Sequence, residues 1–134
     1  MPHSCRVVAL DAHFRGKPEK VRELFDAWHA YIGQFGDFTV LPQKTRISFQ
    51  TRVRFAGATI HRGFVWCGFW LTWPVKDLPA MFAPIEFIPP RYYLLRFRLT
   101  DVAQLRTRGL NGLVRAAYEL GWQREPRRKL LIFS

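Results

Sequence analysis

The ten residues RISFQTRVRF, positions 46–55, alternate almost without fault. Ile47, Phe49, Val53 and Phe55 fall on one side of an extended chain, with Thr51 among them. Arg46, Ser48, Gln50, Arg52 and Arg54 fall on the other. A period of two describes a strand with one buried and one wet face, which is the habit of antiparallel sheets. The run therefore predicts a strand over 46–55 that presents Arg46, Arg52 and Arg54 from one sheet surface with no acid among them.

The flanking segments restrict the fold further. Over residues 18–35, Val21, Leu24, Phe25, Trp28, Tyr31, Ile32 and Phe35 recur at the three-and-four spacing of one helical face. Pro18 suits the first turn, Gly33 and Gly36 the end, and Arg22 is placed to pair with Glu19 and Asp26. Short extended pieces are expected at 39–41 and 58–61, with Gly57 as a turn or bulge between strands. Gly63 opens another strand, in which Phe64, Trp66 and Trp70 face one way and Val65, Cys67, Phe69, Leu71 and Trp73 the other. Apolar residues on both sides predict a central strand covered on both faces. Five of the nine prolines fall between Pro74 and Pro90, which predicts a loop; its Met81, Phe82, Ile85, Phe87 and Ile88 would pack it down as a lid. The last strand, residues 91–99, carries Tyr93, Leu95, Phe97 and Leu99 inward and Arg96 and Arg98 outward. A second helix falls between Thr100 and Leu120, with Leu105, Leu113, Ala116, Ala117 and Leu120 as its buried stripe and Gly121 as its cap, and a basic tail begins at about residue 123. Helix, several strands, helix, without regular alternation, gives an α+β fold: a mainly antiparallel sheet of about five strands with two helices packed on one face. Residues 1–134 read as a single domain, long enough to bury about 68% of the unfolded surface.

Charge narrows the partners. Lys and Arg number 21 against 10 Asp and Glu, a formal net charge of +11. Such a field attracts polyanions, and RNA or single-stranded DNA is the expected partner. No run approaches the 18 apolar residues of a membrane span, and MPHSCRVVALDAHF lacks the charged region followed by a long apolar stretch expected of an export signal. Two cysteines, Cys5 and Cys67, make neither a disulfide scaffold nor a metal spacing, and the expected location is the reducing cytoplasm. Monomer and homodimer are equally compatible with the sequence.

Catalytic chemistry has little to stand on. None of the acids falls inside a predicted strand, so metal-assisted phosphodiester hydrolysis lacks its converging carboxylates. The histidines have no ligand spacing, no glycine-rich phosphate loop occurs, and no cofactor is expected. His29 reads as a boundary residue. His61 is the one histidine placed to act as an acid or base, with Arg62 beside it. Lys44, two residues before Arg46, can share one phosphate with it. The binding candidates are thus Lys44, Arg46, Arg52, Arg54, Arg96 and Arg98, with Tyr92, and Trp66 or Trp70, as aromatics able to join that face.

The segments HFRGKPEKVRELFDAW, LPQKTRISFQTRVRFAG and RAAYELGWQ resemble a bacterial domain-of-unknown-function family, the one numbered 5655. The motif positions are Lys44, Thr45, Ile47, Phe49, Arg52 or Arg54, Phe55, Ala56, Ala117 and Tyr118, and the resemblance runs from about His3 to Gln123. It implies a domain that occurs alone or appended to predicted nucleases, and it carries no activity. One departure is the segment before the last helix, acidic in the family but VAQLRTRGLNG here, with Arg106 and Arg108. Two other readings stay open: a small-ligand pocket under the 74–90 loop beside Lys44 or Arg52, and a protein-interaction module. The position of the tryptophans separates them. A closed apolar cavity favours a ligand, a flat exposed patch a protein, and Trp beside Arg on an open face a nucleic acid.

Overall fold

The structure, a computed structural model, describes residues 9–123. Its frame is one six-stranded sheet: β1 (Thr39–Pro42), β2 (Ile47–Gln50), β3 (Arg54–Ile60), β4 (Val65–Leu71), β5 (Glu86–Ile88) and β6 (Tyr92–Leu99). The spatial order is β1-β2-β3-β4-β6-β5, and every neighbouring pair is antiparallel. Helices α1 (Glu19–Gly33) and α2 (Leu110–Gly121) both pack on β3 and β4. Short 3-10 helices at Leu10–Phe14 and Val102–Arg106 precede them. Asp101 and Gln104 form a reciprocal capping box at the start of the second.

The α+β architecture is the one expected, but two strands differ in their limits. Residues 46–55 form a hairpin instead of one strand. The chain leaves the sheet at Thr51 and returns at Arg54, and the N–H groups of Arg52 and Val53 both donate to the Gly121 carbonyl, at 3.1 and 2.9 Å. A helix end leaves its last carbonyls without partners, and this bend supplies donors for one of them. Alternation cannot reveal such a turn because both arms of a hairpin keep the period of two. Register slips between Phe49 and Gln50, where Phe49 faces Ala56 but Gln50 faces Arg54. Phe55 and Ala56 are consequently both buried, and Phe55 meets Tyr118 edge-on at 5.4 Å. Gly57, expected at a turn, instead lies inside β3. A Cβ there would come 2.7 Å from the Ile47 carbonyl oxygen, so the close approach of two strands demands the glycine.

The buried face of the sheet joins Ile47, Phe49, Val65, Cys67, Phe69, Leu71, Leu95, Phe97 and Leu99 to Phe25, Trp28, Ile32, Leu110, Val114 and Ala117 from the helices. The proline-rich segment does pack down, on this same face: Phe82 meets Phe69 and Phe97, and the end of the segment forms the edge strand β5. Met81, Phe82 and Ile85 are partly buried against the core, whereas Phe87, expected to pack down with them, is exposed on the edge strand. Arg22 pairs with Asp26 as expected, at 3.3 Å, but its second partner is Asp11 at 2.9 Å instead of Glu19. These hydrogen bonds, led by that to Asp11, raise the affinity of the guanidinium for its proton. Among the described residues no helix is long and apolar enough to cross a membrane.

Candidate nucleic-acid interface

No described helix packs on the other face of the sheet, which corrects the expectation that β4 is covered on both sides. Cross-strand register fixes what this face presents. One row runs Leu41, Ser48, Gly57, Gly68, Arg96 across five strands. The next runs Thr59, Trp66, Arg98. On the other side lie Trp70, Leu94 and Glu86. The facing glycines remove two side chains from the middle of the sheet, and a trough of about 390 Å³ opens there. Its walls include Trp66, Trp70, Leu94, Arg46, Arg96 and His61.

Arginines and aromatics interleave around it. The Arg96 guanidinium carbon lies 5.0 Å from the Trp66 ring centre. Arg98 lies 4.0 Å from the Phe64 ring and 6.0 Å from Trp66. His61 stacks on Phe64 at 4.6 Å with rings 7° from parallel, and Trp70 has Tyr92 at 6.5 Å. Contacts of this kind orient a guanidinium at a modest gain, about 0.5–1 kcal/mol where exposed, without neutralising it. Among the described residues none of Arg46, Arg54, Arg96 and Arg98 forms an ion pair, and Glu86 on the edge strand is the acid on this face. The face is therefore cationic and aromatic together. The Trp70 indole N–H is buried with no partner among the described residues.

The structure divides the predicted binding residues. Arg46 and Arg96 both line the trough and Arg98 stands one row away, on the same strand as Arg96. Lys44 is exposed in the β1–β2 turn, Arg52 in the 51–53 bend, and Arg54 at the start of β3. Because β2 and β3 are antiparallel, Arg46 and Arg54 sit at opposite ends of the hairpin and do not form one line. Arg62 donates to the Gly16 carbonyl, 3.3 Å away. The strand pattern put Ser48 on this face but did not single out Gly68 or Leu94; the signal for Gly68 is the WCGFW sequence, in which Trp66, Gly68 and Trp70 alternate onto one face.

Burial pushes the Cys67 thiol well up, so it is no nucleophile. Among the described residues no three His, Cys, Asp or Glu side chains gather as a metal site would need. Two of the tryptophans, Trp66 and Trp70, lie with arginine on the open face, and the trough lies on the face opposite the 74–90 segment.

Residues 10–72 match the family described as Domain of unknown function (DUF5655). The DUF5655 match spans α1 to β4 and so contains Lys44, Arg46, Arg52, Arg54, both glycines of the trough and both of its tryptophans. It is narrower than the His3 to Gln123 span of the resemblance, and β6 with Arg96 and Arg98, and the Ala117–Tyr118 motif, lie beyond it. No curated protein and no solved structure matches the chain.

Proposed function

We propose that this protein is a non-catalytic binding module for RNA or single-stranded DNA, acting through the open face of its sheet. The observation that carries this reading is Trp66 on an uncovered surface with Arg96 at 5.0 Å and Arg98 at 6.0 Å from its ring. Sheet platforms for single strands combine backbone-tracking cations with rings on which bases stack, and stacking contributes about 1–3 kcal/mol per base. A duplex hides its base faces and would use the arginines alone. The +11 net charge supports the same class of partner.

The test is fluorescence anisotropy with a labelled 12-mer oligouridylate at about 50 mM salt, where phosphate contacts are strongest. Binding is expected, and Trp66→Ala should weaken it by about 5- to 150-fold, the equivalent of one stacked base. No binding of the 12-mer at that salt contradicts the reading.

A further inference from the structure

We infer that the trough over Gly57 and Gly68 is the seat of one unstacked nucleobase, with Arg46 and Arg96 holding the phosphates on either side of it. This deepens the reading above and rests on it. Three observations meet here. The facing glycines take away the side chains that would fill the centre of the sheet, and what remains is a trough of about 390 Å³, in the lower part of the range of about 300–1,000 Å³ typical of ligand pockets. Two indoles, Trp66 and Trp70, stand two residues either side of Gly68 on the same strand and line the trough, so its walls suit a flat aromatic ring. Arg46 beside β2 and Arg96 on β6 stand three strand intervals apart, roughly 14 Å across the strands, and two residues out of register along them. An anionic group is therefore favoured at both ends and an uncharged ring between them, which is the order of charges along a single strand of nucleic acid.

The polar groups of the trough fit a base more than a purely apolar guest. Ser48, 5% exposed, lies in the wall and donates to the Gln43 side-chain oxygen at 2.9 Å, and Thr59 and His61 complete that side. The unpartnered Trp70 N–H is a donor that a base carbonyl would satisfy after a small shift of the ring. Gly68 also gives the site a handle. A Cβ added there meets Leu94, Arg96 and the Leu95 carbonyl at 3.5–3.7 Å, ordinary contacts, so a side chain at 68 would occupy the trough without pushing the strands apart.

The experiment compares two trinucleotides that carry the same phosphates: UUU, and the same trimer with an abasic central residue. Wild-type protein should bind UUU about 5- to 150-fold more tightly than the abasic trimer, the worth of one stacked base. Gly68→Leu should bind both trimers alike, at the wild-type affinity for the abasic one, and Gly68→Ala should fall between. Equal binding of the two trimers by the wild type overturns the seat, whatever the variants do. So does failure to bind UUU while the 12-mer binds, because a built seat with two flanking cations does not need length. If the 12-mer itself fails to bind, the underlying function falls, and the seat falls with it.

Discussion

The indole N–H of Trp28 donates to the carbonyl of Gly57 across 3.1 Å, tying the buried face of α1 to the floor of the trough on the opposite side of the sheet. Only one layer of backbone separates the core from the candidate site. Trp28 is fully buried, meets Phe97 edge-on at 5.6 Å and stacks on Tyr31 at 5.9 Å. Trp28→Phe removes the donor and leaves a smaller ring in the same place. It should cost about 1–3 kcal/mol, one net hydrogen bond plus a small cavity, measured as a shift of the denaturant midpoint at constant slope. A change below about 0.5 kcal/mol would mean that the tie is not formed in solution.

The two glycines of the trough should respond in opposite ways. Gly57→Ala drives a methyl into the Ile47 carbonyl and is expected to destabilise by about 1–3 kcal/mol, as overpacking does. Gly68→Ala meets only ordinary contacts, and its stability should stay within about 1 kcal/mol of the parent, helped by the lower entropy of the unfolded chain. Thermal unfolding of the two variants side by side checks the contrast.

Sheet polarity predicts a second contrast. Phe49 and Phe55 are wholly buried, and truncating either to Ala should cost about 3–5 kcal/mol. Arg52 and Arg54 are exposed, so Ala at either position should change stability by less than about 1 kcal/mol. Chemical denaturation of the four variants measures this, and equal losses would mean that the hairpin faces the other way.

Much of this fold was legible because hydrophobic periodicity reports burial directly. Of the seven residues on the expected α1 face, Val21, Leu24, Phe25, Trp28 and Ile32 are buried, and Tyr31 and Phe35 are half-buried at its margin. Of the inward set expected on β6, Leu95, Phe97 and Leu99 are buried and Tyr93 is half-buried. What stayed hidden was non-local. The bend at 51–53 is held by the Gly121 carbonyl, nearly seventy positions away in sequence, and no glycine, proline or asparagine marks it. The 86–88 strand lies among prolines and pairs with β6 at the sheet edge, where proline is tolerated. For the site, the arginines were visible and their grouping was not. Arg46 and Arg96 meet around one trough only because β3 and β4 lie between their strands with facing glycines, and strand order is not written in any single strand.

Cys67 offers a check on the buried layer beneath the trough. It is wholly buried and its thiol is pushed well up by that burial, because a low-dielectric surrounding disfavours the thiolate. With Cys5 replaced by Ser, a thiol reagent at pH 8 should leave the folded protein unmodified for as long as it stays folded. One equivalent should react once denaturant opens the core. Rapid reaction of the folded protein would show that β4 is exposed on its helix-covered side.

The most direct test of a binding face on the sheet is the salt dependence of 12-mer oligouridylate affinity in two charge-reversed proteins. Arg96→Glu with Arg98→Glu changes the open face; Arg127→Glu with Arg128→Glu removes the same charge from the tail, which lies outside the described residues. If Arg46, Arg96 and Arg98 each neutralise one phosphate, the parent slope of log K against log salt should be roughly −2, at about 0.7 per contact for a single strand. The sheet pair should flatten that slope to roughly −0.7 or less and weaken binding at every salt concentration, with the circular dichroism spectrum unchanged. The tail pair should leave the slope close to the parent's. Identical slopes and identical losses from the two pairs, with both proteins folded, would contradict the account and reduce the interaction to the overall charge of the chain.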